Sequence, residues 1–209
     1  MSSKDDLIAR IVQAEWEMFQ QVPNAGGLAG CQQNYGTFRI MRTSQAASWS
    51  ETLLESYLDD LASAQRDGRN LLTEKYARMM ASTSPREYAA FASVLPALEP
   101  AVLRTIDTIV EIVLAWEADL SNRFPHILQR GRPIHASEDR PGTTSVETYL
   151  RGELASYSQQ TLTRYLDHVR VQKLAGINGS ELTLSHTVRS YGYPSLAAAE
   201  RHLVDPSGR

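Results

Sequence analysis

The sequence predicts an all-α protein, a single compact bundle of about seven to nine helices that forms one domain over residues 1–209. Apolar residues recur at helical spacing along nearly the whole chain, and no segment sustains the period-two alternation of a strand. Capping residues, glycines and prolines divide this pattern into separate helices. A chain of 209 residues with 42% hydrophobic and 22% charged residues has the composition of an ordinary globular domain.

The helices of the first half are predicted from side chains that favour helix starts. Ser3 precedes the first apolar stripe, and Ser48 with Glu51 has the spacing of a capping box for the third helix. Ser84 and Pro85 offer an N-cap and a first-turn proline for a fifth. The second and fourth helices are predicted over residues 37–49 and 70–82.

The second half is predicted to contain two long helices joined by a long loop. A wide apolar band over 100–122 is typical of a central, deeply buried helix. Thr144 and Glu147 are predicted to cap a helix that continues to Leu174, a length of about 45 Å at 1.5 Å per residue. The loop over about 123–143 is rich in Pro, Gly, Arg and His, and loops of this length are often functional. Two short helices close the chain.

Charged side chains interrupt the apolar stripe of four predicted helices. These residues are Glu15 on the first helix, Arg42 on the second, Lys75 on the fourth and Glu153 on the long helix of the second half. A charge on an apolar stripe is costly unless it is paired or used. We therefore expect the four side chains to line a shared, sheltered site.

Two sets of roles are predicted for this site. Glu15, Lys75 and Glu153 are predicted to be catalytic. Burial would lower the pKa of Lys75 and make it a base or an amine nucleophile, and it would raise the pKa of Glu153 unless a cation compensates. A second set would hold an anionic substrate or its leaving group. Its members are Arg42, Gln45, Arg78, Arg151, Tyr149, Tyr157 and Gln32.

Each of these positions also has a structural interpretation. Glu15 is equally well a boundary residue that reaches solvent, and Glu74 with Arg78 has the four-residue spacing of a solvated ion pair. Gly152 lies inside a helix, where glycine costs about 1 kcal/mol relative to alanine, so another helix or a ligand must approach it closely. Cys31 is either a stabilised thiolate nucleophile or, more commonly for a lone cysteine, a small buried hydrophobe.

Several classes of function are disfavoured by composition and spacing. Basic residues are scattered and the net charge is −3, so nucleic-acid binding is not expected. The longest apolar run, 109–116, is too short to span a membrane, and the polar N-terminus indicates a cytoplasmic protein. No histidine completes a Glu-x-x-His motif, so no metal is expected beyond a loosely held cation at His135, Glu138 and Asp139. The glycines of NAGGLAG lack the lysine of a phosphate loop, and no cofactor is expected.

Four segments resemble an uncharacterised bacterial family, domain of unknown function family 4125. The segments are the string from Glu15 through GG, CQ, TF, MR and SQ, then GRNLLTEKYARMM, TSVETYLRGELASYS and YGYPSLAAAE, and the resemblance covers nearly the whole chain. It implies a common fold but no particular reaction. The chain is also similar to the aziridine-forming proteins of azinomycin-type antibiotic pathways, which implies ring closure by expulsion of sulfate from an amino-acid derivative.

Two functions are consistent with these observations. The first is a cofactor-independent biosynthetic enzyme that performs acid–base elimination or intramolecular ring closure on an anionic, amino-acid-like substrate. The second is a non-catalytic helical module that binds a metabolite or another protein, in which the same charges form a buried ion network. A small partner subunit or a homodimer is compatible with either function.

Overall fold

Eleven α-helices make up most of the described chain, and each begins at a residue that favours a helix start. The computed structural model describes residues 3–24, 27 and 29–205. Eight of these helices have a Ser or Asn N-cap whose side chain accepts a hydrogen bond from the first turn, and three begin with proline. No strand is present in these ranges, which confirms the all-α prediction. The helices are α1 (Lys4–Gln20), α2 (Tyr35–Ala47), α3 (Glu51–Arg66), α4 (Leu71–Thr83), α5 (Pro85–Ala89), α6 (Pro100–Arg123), α7 (Pro125–Leu128), α8 (Val146–Leu154), α9 (Gln159–Leu174), α10 (Gly179–Ser190) and α11 (Leu196–Val204).

The core forms where the apolar faces of the longer helices meet. Leu53 and Leu54 of α3, Ile109 of α6 and Leu154 of α8 have no exposed surface. Burying one such side chain completely stabilises the fold by about 1.5–3 kcal/mol. The longest helix, α6, packs against α8, α9 and α10, but only five of its 24 residues are buried, so the prediction of the most deeply buried helix was wrong. No described helix is both long enough and apolar enough to cross a lipid bilayer.

The helix predicted to run unbroken over 144–174 is instead two helices, α8 and α9. The break lies at Ser156 to Ser158, where the Ser158 hydroxyl accepts a hydrogen bond from the Thr161 amide and so caps α9. The Ser158 amide donates to Asp60 at 2.9 Å rather than to a carbonyl of the preceding turn. Serine competes with the helical hydrogen-bond ladder in this way, and here tertiary contacts favour the cap. The predicted length of 45 Å was therefore wrong.

Two predicted caps are displaced by one or two residues. Ser50, not Ser48, caps α3, and Ser145, not Thr144, caps α8. The Ser48 hydroxyl donates to the Gln45 carbonyl at 2.7 Å, so it serves the end of α2 instead of the start of α3. Both observed caps have extended backbone angles, as an N-cap requires.

Asp139 holds the long loop between α7 and α8 against the bundle. One carboxylate oxygen accepts the Ser145 amide at 2.6 Å, and the other accepts the hydroxyls of Ser82 on α4 and Thr148 on α8, each at 2.5 Å. Burial raises the pKa of Asp139, but these hydrogen bonds outweigh burial, and the pKa lies below its ordinary value.

We expect Asp139→Ala to lower the free energy of unfolding by about 1–2 kcal/mol near neutral pH, because hydrogen bonds to a half-exposed carboxylate are lost. A carboxyl whose pKa is lowered by folding stabilises above its ordinary pKa, and this contribution disappears as the pH falls through the lower, folded-state pKa. The difference between wild type and variant should therefore shrink in acid. Urea denaturation across a pH series measures it, and a difference that does not change with pH would contradict this account.

Candidate functional site

Four ionised side chains from four helices meet inside the bundle, as the sequence predicted. They are Glu15 of α1, Arg42 of α2, Lys75 of α4 and Glu153 of α8, with exposed fractions of 1%, 9%, 5% and 3%. We refer to these four residues as the ion network. The interpretation of Glu15 as a boundary residue that reaches solvent was wrong, because the side chain is fully enclosed.

Arg42 and Glu15 form a two-pronged ion pair at one side of the network. The Arg42 Nε donates to Glu15 Oε2 at 2.7 Å, and Nη2 donates to Glu15 Oε1. The Tyr57 hydroxyl of α3 donates to the same Oε1 at 2.7 Å. This geometry uses the fork of the guanidinium, which lysine could not reproduce.

Glu153 receives hydrogen bonds on both of its carboxylate oxygens. Lys75 Nζ donates to Oε2 at 2.5 Å, while Gln45 Nε2 at 2.9 Å and the Tyr157 hydroxyl at 2.8 Å donate to Oε1. The guanidinium of Arg42 lies 3.2–3.4 Å from the same carboxylate. The two cations and two carboxylates therefore balance, and Arg42 is shared between the two acids.

The ion network favours the charged forms of Arg42, Lys75 and Glu153. Burial raises the pKa of Glu153, but Arg42 and Lys75 outweigh burial and hold that pKa well below its ordinary range. Burial lowers the pKa of Lys75, but Glu153 outweighs it, and the net pKa is raised. The neutral amine suggested for Lys75 is therefore not its resting form. The pKa of Glu153 was predicted to rise unless a cation compensated for burial, and two cations do so here.

Aromatic rings and one glycine position Lys75. The ammonium lies 3.6 Å from the centre of the Tyr149 ring, within the range of a cation–π contact. A Cβ added to Gly152 would lie 2.9 Å from the Lys75 carbonyl oxygen and 2.9 Å from Met79 Cγ. Glycine at this position lets α8 approach α4 closely enough to pair Lys75 with Glu153. Of the two explanations for Gly152, the structure supports packing of another helix.

The structure does not bring Arg78 or Arg151 to the ion network. Arg151 pairs on the surface with Asp107 at 2.6 Å and with Glu147 at 3.2 Å. It lies two residues from Glu153, which places it on a different side of α8. Arg78 donates to the Pro96 carbonyl at 2.6 Å. Their predicted contacts with a substrate would require a different site.

The predicted partner of Arg78 was also incorrect. Glu74 pairs with Arg69, whose Nε and Nη2 donate to its two carboxylate oxygens at 2.8 Å each. Arg69 precedes α4, where the chain is free to turn its side chain back over the first turn. A spacing of four residues does not create an ion pair when another arginine already occupies both carboxylate oxygens.

Gln32 has a structural role away from the ion network. Its side-chain amide donates to the carbonyls of Phe19 and Val22 at 2.7 and 3.0 Å, so it closes the end of α1. Its carbonyl oxygen accepts from Asn24 and from the Ala29 amide. All of its hydrogen-bonding capacity is used within this turn. Ala25, Gly26 and Leu28 of the glycine-rich segment lie outside the described residues.

Two further predictions concern the loops. Cys31 is exposed, so its interpretation as a small buried hydrophobe was wrong, while a nucleophilic role stays a prediction. The carboxylate of Asp139 is engaged by Ser82, Thr148 and Ser145, and that of Glu138 accepts the His135 amide. Within the described ranges, no group of three or more His, Cys, Asp or Glu side chains is arranged to hold a metal ion. This finding includes the loose cation site predicted at His135, Glu138 and Asp139.

Tyr57 is a site residue that sequence reasoning missed. Its spacing on α3 indicated only a member of the apolar stripe, and its ring is indeed buried. A buried tyrosine hydroxyl nearly always requires a hydrogen-bond partner. That requirement was the available signal, but it could not identify Glu15 as the partner.

A cavity adjoins the ion network between α2, α6, α8, α9 and α10. Its volume is about 250 Å³, whereas the gap inside the network itself is about 20 Å³, enough for about one water molecule. Tyr149 and Glu153 border both spaces, and Gln45 borders the larger one. The rest of the wall is mostly apolar, and its main members are Met41, Trp49, Val113, Trp116, Leu120, Leu128, Val146, Leu150, Tyr165, Val169 and Leu184.

The ionisable groups in the cavity wall are acids, one histidine and two tyrosines. Glu117 of α6 is partly buried, and burial raises the pKa of its carboxyl despite a hydrogen bond from Ser180. Burial lowers the pKa of His168, although a hydrogen bond to the Ser48 carbonyl partly offsets this effect. No lysine or arginine borders the cavity in the part of the chain that the structure describes.

Comparison with known proteins gives a family but no activity. A family model described as "Protein of unknown function (DUF4125)" matches residues 5–201. No curated protein and no solved structure matches the chain significantly. The match confirms the family resemblance, while the resemblance to aziridine-forming proteins stays a prediction.

Proposed function

This chain belongs to the DUF4125 family, and we propose that it binds a small, largely apolar metabolite in the cavity between α2, α6, α8, α9 and α10. The observation that carries the proposal is the cavity itself. Its volume of about 250 Å³ and its aromatic and aliphatic wall suit a small organic molecule, with a few polar groups to orient it. The ion network reaches this wall through Glu153, and Gln45 and Tyr149, which contact Glu153 and Lys75, border the cavity beside it.

The contacts of the ion network favour a metabolite that binds in the adjoining cavity rather than among the four charged side chains. Every nitrogen of the Arg42 guanidinium already donates to Glu15, Gln45 or Glu153. An anionic substrate held by Arg42 would have to displace a buried carboxylate, and removing one partner of such a pair is strongly unfavourable. The small gap inside the network leaves room for water but not for a metabolite.

A second candidate function is acid–base catalysis on the molecule that occupies the cavity. Burial raises the pKa of the Glu117 carboxyl toward neutrality, and it lowers the pKa of His168, so that the imidazole is neutral and can accept a proton near pH 7. Groups tuned in this way suit proton transfer near neutral pH. If the chain performs the predicted elimination or ring closure, these residues suit it better than Lys75, which does not border the cavity, or Glu153, which two cations hold. Turnover that survives in both Glu117→Gln and His168→Asn would oppose this candidate.

Filling the cavity tests the proposed binding function. We expect indole and 2-phenylethanol to shift amide resonances of the cavity wall in NMR titrations of the wild-type protein. A compound at a hundred times its dissociation constant should also stabilise the fold by about 2.7 kcal/mol. Val113→Phe places a larger side chain in the wall and should abolish both effects.

Val171→Phe is the matched control, because Val171 is 65% exposed on α9 and does not border the cavity. Thr187→Phe fills the cavity from α10 and replaces Val113→Phe if the latter fails to fold. Absence of binding by either compound to the wild type, or equal binding to the cavity-filled and control variants, would overturn the proposal.

A further inference from the structure

Glu117 is a carboxyl in the cavity wall that no described cationic side chain pairs with. It lies on α6 beside Trp116, and its one side-chain contact of hydrogen-bonding type is with Ser180 of α10. No ion pair involves Glu117 within the described ranges, whereas Glu153, on the same cavity wall, is held by two cations. Two cations therefore offset the cost of burying Glu153, whereas no described cation offsets that cost for Glu117.

A partly buried carboxylate without a counter-charge is unfavourable, and its pKa rises until protonation becomes easy. Burial has this effect on Glu117. A positively charged group placed in the cavity would supply the missing partner. The free energy of that ion pair would then contribute to binding, since the carboxylate is desolvated before the ligand arrives.

The remaining ionisable groups of the wall are compatible with a cation. Glu153 is neutralised within the ion network, and the lowered pKa of His168 keeps its imidazole neutral near pH 7. Tyr149 and Tyr165 are the other described ionisable groups that border the cavity, and α2 and α10 contribute only uncharged residues to it. Among the described residues, no positive charge of the cavity wall opposes an incoming ammonium group.

We propose that the cavity recognises a protonated amine on an apolar or aromatic body, with Glu117 as the partner of the ammonium group. This inference rests on the proposed function, because it specifies the chemistry of the same cavity. Trp49, Trp116 and Tyr165 line the space and offer apolar surface together with aromatic rings for cation–π contacts. Glu117 thus favours a ligand with a positive charge, and the apolar wall limits the size of the ligand.

A matched series of three compounds tests the preference for a cation. 2-Phenylethylamine, 2-phenylethanol and 3-phenylpropionate carry a similar ring on a positive, a neutral and a negative end. We expect isothermal titration calorimetry at pH 7 and low salt to show the amine binding about tenfold more tightly than the alcohol. Glu117→Gln should remove that difference and leave the affinity for the alcohol unchanged.

Glu111→Gln is the control for overall charge, because it removes an exposed carboxylate from the same helix. It should leave the tenfold preference intact. The melting temperature of the free Glu117→Gln protein gives an independent reading. It should stay equal or rise, since an amide avoids the cost of the buried charge.

The outcomes separate this inference from the proposed function. Equal binding of all three compounds in the cavity would overturn the preference for an amine and leave the cavity as a binding site. Tightest binding of 3-phenylpropionate would overturn it in favour of the anionic substrate predicted from the sequence. Failure of all three compounds to bind would overturn the amine inference together with the proposed function.

Discussion

Replacing Arg42 with alanine is expected to lower the free energy of unfolding by about 3–5 kcal/mol, the largest effect of any single change considered. The substitution removes the cation shared by Glu15 and Glu153 and leaves Glu15 buried at 1% exposure without a counter-charge. Of the described donors to Glu15, the Tyr57 hydroxyl alone would remain. Urea denaturation followed by circular dichroism measures the loss.

Arg151→Ala is the matched control for this experiment. Its guanidinium also forms two ion pairs, with Asp107 and Glu147, but its side chain is 42% exposed. Exposed pairs of this kind contribute about 0–1 kcal/mol. If Arg42→Ala and Arg151→Ala cost the same, the ion network does not stabilise the fold, and the functional role predicted for its charges regains support.

The second large effect is expected for Gly152→Val. The new Cβ would lie 2.9 Å from the backbone oxygen of Lys75, which cannot move aside without shifting α4. Overpacking of this kind typically costs about 1–3 kcal/mol, and the extra methyl groups of valine place this variant at the upper end. The separation of α4 from α8 would also weaken the Lys75–Glu153 pair. Thermal unfolding and urea denaturation should both register the loss.

Gly36→Ala provides the opposite expectation in a helix of the same protein. A Cβ at Gly36 would meet only Asn34 Oδ1 at 3.6 Å, an ordinary contact. Alanine should then stabilise the protein by about 0.4–1 kcal/mol through its lower chain entropy and better helix propensity. A stabilising Gly152→Val substitution, or a strongly destabilising Gly36→Ala substitution, would contradict this explanation of where glycine is required.

Local patterns predicted the helices well because helices depend on neighbours along the chain. Ser3, Asn70 and Pro85 mark helix starts in the sequence and in the structure. The error at Ser156 to Ser158 has a different origin. The amide of Ser158 is satisfied by Asp60, which lies 98 residues earlier in the chain, so no local pattern could reveal that the helix breaks there.

The candidate site was predictable in its charges but not in its contacts. An acid or base on an apolar stripe indicated Glu15, Arg42, Lys75 and Glu153, because only a paired charge is tolerated in such a position. Arg151 and Gln32 could not be excluded by the same reasoning. Their separation from the site depends on which residues form hydrogen bonds or ion pairs with them. The packing of the whole bundle determines those partners.

The sequence alone thus determined the helical periodicity, most helix caps and the four charged residues on apolar stripes, since each depends on residues within a turn or two. Only the tertiary structure decided that Arg42 reaches Glu153 across 111 residues and neutralises it. It also decided that a cavity remains beside them with Glu117 in its wall. Pairing and empty space arise from the way distant helices pack, and that arrangement has no signature in any short stretch of residues.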